Sequence, residues 1–118
     1  MRPHRSHFVW LPLAMLTGCG ELDNGLGDAR TGQMIIAQQA CGACHRIPGV
    51  AAAEGTAGPA LDHFATQPKI AGVLPNTPAA LTQFLRTPEM VVKNGAMPNT
   101  ALTETQARQI AAYLYTLK

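Results

Sequence analysis

No apolar run near the start of this 118-residue sequence is long enough to cross a membrane. The stretch from Phe8 to Leu16 is interrupted by Pro12 and is roughly half of the ~20 apolar residues that a spanning helix needs. A surplus of one charge is also missing. Nine Lys and Arg stand against seven Asp and Glu, a formal net charge of +2, and two of those cations, Arg2 and Arg5, precede the apolar run. Such a balance argues against nucleic acid or a broadly acidic surface as partner. No segment alternates apolar and polar residues over strand length, so the expected fold class is all-α. Cysteine is scarce, with three in all, and an odd thiol in an exported protein needs an explanation.

Export is signalled by the N-terminus itself. A short positive segment, Met1-Arg2-Pro3-His4-Arg5, leads into the apolar run and then into Thr17-Gly18-Cys19, the layout of a signal sequence. Leu16-Thr17-Gly18-Cys19 resembles the bacterial lipobox, which implies that Cys19 is lipidated and becomes the new N-terminus. The alternative is an ordinary secretory cleavage site beside an incidental cysteine. The expected organisation is a lipoprotein signal peptide over 1–18, a lipidated N-terminus and flexible tether over 19–27, and a single domain over 28–118. Loss of Arg2 and Arg5 would leave the mature chain near neutrality. The tether, rich in Gly, Asp and Asn, would reach only ~16 Å on average. About 100 mature residues bury a limited core, which a bound cofactor would enlarge.

That cofactor is indicated by Cys41-Gly42-Ala43-Cys44-His45. C-x-x-C-H is the attachment signature of c-type haem: two thiols for thioether bonds, then an imidazole placed to ligate iron. Two other chemistries use C-x-x-C. A thioredoxin-like dithiol would need a surrounding βαβ pattern, and a zinc site would need further Cys or His ligands at suitable spacing. Beyond the leader, the histidines are His45 and His63 alone. With lipid on Cys19 and haem on Cys41 and Cys44, all three cysteines are used and no disulfide is expected.

Three helices are predicted around the motif. Asp28 caps the first, which ends near Ala40 and carries Ile36 and Ala40 on one face. Thr77 caps the second, with Pro78 at its first position, an apolar stripe of Leu81, Phe84 and Leu85, and Pro88 as stop. Thr103-Glu104-Thr105-Gln106 forms a capping box for the third, followed by Ala107, Ile110, Ala111 and Leu114 at helical spacing. Tyr113 and Leu117 widen that face. Between Ile47 and Ile70 the chain is rich in Gly, Ala and Pro, and reads as a long loop wrapped on the haem.

The iron needs a sixth ligand or an open position, and Met34, Met90, Met97 and His63 compete for it. Met34 sits on the helix entering the motif and is poorly placed for the opposite haem face. Met90, just after the second helix, is expected in the core. Met97 lies in Asn94-Gly95-Ala96-Met97-Pro98-Asn99, where Asn-Gly permits a tight turn and Pro98 restricts Met97 to extended backbone. It is the preferred ligand, with His63 as a bis-histidine alternative.

Taken together, these residues resemble the class I c-type cytochromes over roughly 28–118: the attachment motif, Gly58-Pro59-Ala60-Leu61, the Met-Pro loop and the final helix follow that family's order. The resemblance implies a small helical fold around one covalent haem c, with His45 and Met97 as axial ligands. It implies that the Pro59 carbonyl accepts a hydrogen bond from His45. It also implies crossed first and last helices, with Gly32 and Ile36 against Ile110 and Tyr113. Leu74-Pro75-Asn76-Thr77-Pro78, Arg86-Thr87-Pro88 and Met97-Pro98-Asn99 are similar to the cytochrome c domain of caa3-type oxidase subunit II. Here Phe84 stands where that group often has tryptophan, and a stand-alone lipoprotein is expected.

Two axial ligands leave no open position for a substrate, so the expected function is electron transfer rather than catalysis. The partners would be redox proteins, an upstream reductase or a cytochrome oxidase, met at a membrane surface facing the periplasm or extracytoplasmic space. A different class, a haem enzyme or gas sensor with a displaceable distal ligand, is distinguished by carbon monoxide binding. A third, a fixed relay subunit, is distinguished by co-purification with a larger complex.

Overall fold

The computed structural model describes residues 25–118 and Val9. The rest of the expected signal peptide, the expected lipidation residue Cys19 and the expected tether as far as Asn24 lie outside the described residues. Four helices account for most regular structure: α1 (Ala29–Gln38), α2 (Pro78–Arg86), α3 (Pro88–Val91) and α4 (Glu104–Leu114). Short 3-10 turns lie at Cys41–Ala43 and Phe64–Thr66.

Local chemistry starts each long helix. The Asp28 carboxylate accepts from the N–H groups of Arg30 and Thr31 at 3.1 Å and from the Thr31 hydroxyl at 2.6 Å, satisfying donors that the first turn leaves open. The Thr31 hydroxyl, then the Arg30 N–H, hold the Asp28 carboxyl below its ordinary value. A depressed folded pKa contributes stability above the unfolded carboxylate's pKa, and that contribution is lost as pH falls through the lower folded one. Thr77 caps α2 by accepting from the Ala80 N–H at 3.2 Å, with Pro78 in the first turn. In α4 the capping box is complete: the Gln106 N–H donates to the Thr103 hydroxyl at 3.1 Å, and the Gln106 side chain accepts from the Thr103 N–H at 3.0 Å.

The core is built where α1 crosses α4 and α2 packs beside α4. All four residues of the α4 stripe, Ala107, Ile110, Ala111 and Leu114, are buried, as are Ile35 and Ile36 of α1 and Leu81 and Leu85 of α2. Gly32 makes the crossing close: a Cβ there would lie 1.8 Å from the Gln109 carbonyl oxygen and 2.9 Å from the Ile110 nitrogen. Backbone thus rests on backbone, which only a residue without a side chain permits.

The segment from Ile47 to Ile70 is pinned to this helical frame rather than free. The Tyr113 hydroxyl donates to the Pro48 carbonyl at 2.5 Å, and the Gln33 amide to the Gly49 carbonyl at 2.5 Å, so α4 and α1 each hold one residue of the loop. Further along, the Ala65 N–H donates to the Leu117 carbonyl at 2.8 Å, and the Phe64 and Tyr115 rings meet at a centroid distance of 5.9 Å. The helical expectation holds, with two small additions, the single turn of α3 and a hairpin. Lys69–Ile70 pairs antiparallel with Leu74–Pro75, closed by Ala71 and Gly72, both at positive φ. This two-residue hairpin is too short to leave an alternation in the sequence.

Two residues depart from expectation. Leu26, assigned to the tether, is buried at 7% exposure, so packing begins upstream of the α1 cap. Met90, expected in the core, is 74% exposed. Its helix is a single turn in which Pro88 fills the interior, and a residue two positions later falls about 200° around the axis, toward solvent. Among the described residues, no helix is long and apolar enough to cross a membrane.

Candidate haem site

The C-x-x-C-H segment leaves α1 through Ala40, which adopts a left-handed φ of 55°. The chain then coils through Cys41–Ala43, with the His45 N–H donating to the Cys41 carbonyl at 3.0 Å. This turn leaves Cys41 half-buried and Cys44 exposed, both as free thiols. Burial pushes the Cys41 thiol up from its ordinary value.

The imidazole of His45 is fixed from two sides. Its Nδ1 lies 2.7 Å from the Pro59 carbonyl oxygen. A carbonyl only accepts, so Nδ1 carries the proton and the Nε2 lone pair is left for a metal. Gly58 supplies the second restraint. A Cβ at that position would stand 2.5 Å from Cε1, 2.7 Å from Nδ1 and 3.0 Å from Nε2 of the ring. The imidazole therefore lies close against the Gly58 backbone, where any side chain would push it away. The Gly58 N–H donates back to the Cys44 carbonyl at 2.7 Å, and the Leu61 N–H to the Arg46 carbonyl at 2.8 Å. An Arg46–Asp62 ion pair at 2.9 Å joins the same two strips of chain. Sequence reasoning identified Gly58-Pro59 but missed Asp62, whose partner is unreadable until the loop is folded.

Met97 is half-buried and packs against the core, together with Leu61, Phe64, Leu74 and Phe84. Its turn begins at Asn94, with φ 60°, and is tied by the Gly95 N–H to the Val92 carbonyl at 3.1 Å. Of the other methionines considered, Met34 is 56% exposed on α1. His63 is exposed at a left-handed φ of 59°, its backbone shaped by the start of a 3-10 turn.

These residues fit a covalently held porphyrin. Paired free thiols, an imidazole presenting Nε2 and partly buried apolar side chains match its edges, iron and faces. Two buried polar atoms, Asp62 Oδ1 and Thr100 Oγ1, lack a protein partner in strips flanking Pro59 and Met97. No group of three or more His, Cys, Asp or Glu converges on a metal-binding point among the described residues.

Residues 27–114 match the family model described as cytochrome C oxidase, cbb3-type, subunit III. The chain belongs to this family. It is a class I c-type cytochrome domain, with the small, mostly helical fold of such proteins, and it binds one covalent haem c. Electron transfer is what this domain does. The cytochrome domain's motifs were likened above to the caa3 group, whereas the matching model carries the cbb3 description; the class I domain is the level at which the two coincide. No curated protein matches the chain.

Proposed function

We propose that the protein is a membrane-tethered, single-haem carrier that passes electrons one at a time in an extracytoplasmic respiratory chain, toward a terminal oxidase. The observation that carries this reading is the His45 Nδ1 hydrogen bond to Pro59. It commits Nε2 to the iron and sets the ring before any metal arrives. Met97 would supply the second protein ligand, Cys41 and Cys44 would form the thioethers, and Pro59 would polarise the imidazole. When bound, haem supplies a one-electron Fe(III)/Fe(II) couple. The protein's own groups would orient it, limit water around it and supply two ligands to the iron, leaving none for a substrate.

Carbon monoxide tests the closed site. The reduced protein should stay six-coordinate and bind carbon monoxide slowly or not at all at neutral pH, as read by its absorption spectrum. Rapid binding would replace the carrier with a haem enzyme or gas sensor.

The membrane part of the proposal rests on Cys19, with its lipobox-like context Leu16-Thr17-Gly18. Lipoprotein processing supplies the two or more acyl chains that stable anchoring requires. Cys19→Ala, exported behind a non-lipoprotein signal sequence, should appear in the soluble fraction, whereas the parent stays with membranes. Membrane retention of the variant would refute the anchor. The redox partner, an upstream reductase or a cytochrome oxidase, is tested by stopped-flow oxidation of the reduced protein with purified oxidases.

A further inference from the structure

Away from the haem site, α2 and α4 enclose an open cleft of about 580 Å³. Its walls include Pro78 and Ala79 of α2, and its rim carries Arg86, Arg108 and Glu104. Two guanidinium groups against one carboxylate leave the rim positive. Arg86 and Glu104 are 3.9 Å apart with both side chains well exposed, a distance and setting in which an ion pair contributes little. The chain itself enters this cleft. Gly25 and Leu26 line one end; Leu26 is buried in the core, and Arg108 Nη2 donates to the Gly25 carbonyl.

The residues immediately upstream are Gly20-Glu21-Leu22-Asp23-Asn24. They carry two carboxylates around one leucine and no cation. Extended chain advances ~3.3 Å per residue, a reach that would allow Asp23 and Glu21 to fall ~7 and ~13 Å from Gly25. Nine-residue α2 is about 13 Å long at 1.5 Å per residue, so the segment matches the cleft in length. With Gly25 and Leu26 already docked, the segment is presented at an effective concentration in the millimolar range.

We propose that residues 21–24 of this same chain occupy the α2–α4 cleft, with Leu22 against its apolar wall and Asp23 and Glu21 against Arg108 and Arg86. The proposal stands whether or not Cys19 is lipidated. If it is, the free tether shrinks to little more than Gly20, and the lipid is held beside α2 and α4 on a defined side of the domain.

Hydrogen exchange on the full-length, haem-loaded protein tests it. Amides of residues 22–24 should exchange at least ~10-fold more slowly than in an unstructured chain. Arg86→Glu should remove most of that protection while the haem spectrum is unchanged. Glu21→Arg combined with Arg86→Glu should restore it. Leu22→Ala gives a second reading of the same contact, because it changes only the segment and should also release the amides. Unprotected amides in the parent protein would overturn the proposal, as would a charge swap without rescue. Protection that grows with protein concentration would assign the cleft to a second copy, and protection that appears only with lipid vesicles would assign it to the membrane; either also overturns the proposal.

Discussion

Gly32→Val is expected to leave almost no folded protein. At this position even a Cβ would fall 1.8 Å from the Gln109 carbonyl oxygen, and valine adds two methyl groups to that collision. No rotamer relieves it, because the obstacle is the α4 backbone. The helices can only separate, uncovering Ile36 and Ile110, each at most 2% exposed in the native packing. Overpacking in cores costs about 1–3 kcal/mol and occasionally more. A backbone clash at the main helix crossing belongs at or above the upper end, a large share of the ~5–15 kcal/mol that holds a small domain together. The expected result is loss of the cooperative thermal transition by circular dichroism and failure to accumulate. A variant melting within a few degrees of the parent would show that the crossing is not closed at Gly32.

Met97→Ala is expected to act on the iron and spare the fold. Met97 is only half-buried, at the margin of the core, so truncating it removes modest packing. What it removes in full is the thioether proposed above as the second protein ligand to the iron. Cys41 and Cys44 would still hold the cofactor covalently, and His45 would still be fixed by Pro59. The spectrum should therefore change from low-spin, Met-ligated haem to an open or water-ligated form, with carbon monoxide binding gained. The midpoint potential should fall by on the order of 0.1–0.3 V, within the ~0.8 V range that axial ligands span. An unchanged spectrum would refute Met97 as ligand. Cys41→Ala or Cys44→Ala should instead reduce the yield of haem-loaded protein, separating attachment from ligation.

Much of the architecture is legible in the sequence because it is written in local chemistry. Asp28, Thr77 and Thr103 announce helix starts through side-chain bonds to residues two or three positions on, and such bonds need no knowledge of the fold. The α4 stripe is similarly plain, since a long period-3.6 pattern has one solution. Met90 shows the limit: one helical turn has no period to read, and its inner side is decided by Pro88. Leu26 shows another. Its neighbours have tether composition, yet its burial depends on α2 and α4, more than fifty residues away. Within the site, the C-x-x-C-H string and Gly58-Pro59 are visible. The Gln33 and Tyr113 bonds to Gly49 and Pro48 are not, because a long-range side-chain-to-carbonyl bond leaves no trace in either segment alone.

The crossing at Gly32 also sets an order of events. A chain made N-terminus first presents Cys41 to His45 well before Gln109 and Ile110 arrive. Until then Ile36 has no α4 to pack on, and the Pro48–Gly49 strip lacks its Tyr113 anchor. Contacts so distant in sequence close late, since loop-closure entropy must be met before they are rewarded. Cys41 packs against that core in the finished domain, so its sulfur is expected to be more open to thioether formation before the core closes than after. The core of this domain is therefore expected to close only when α4 reaches α1.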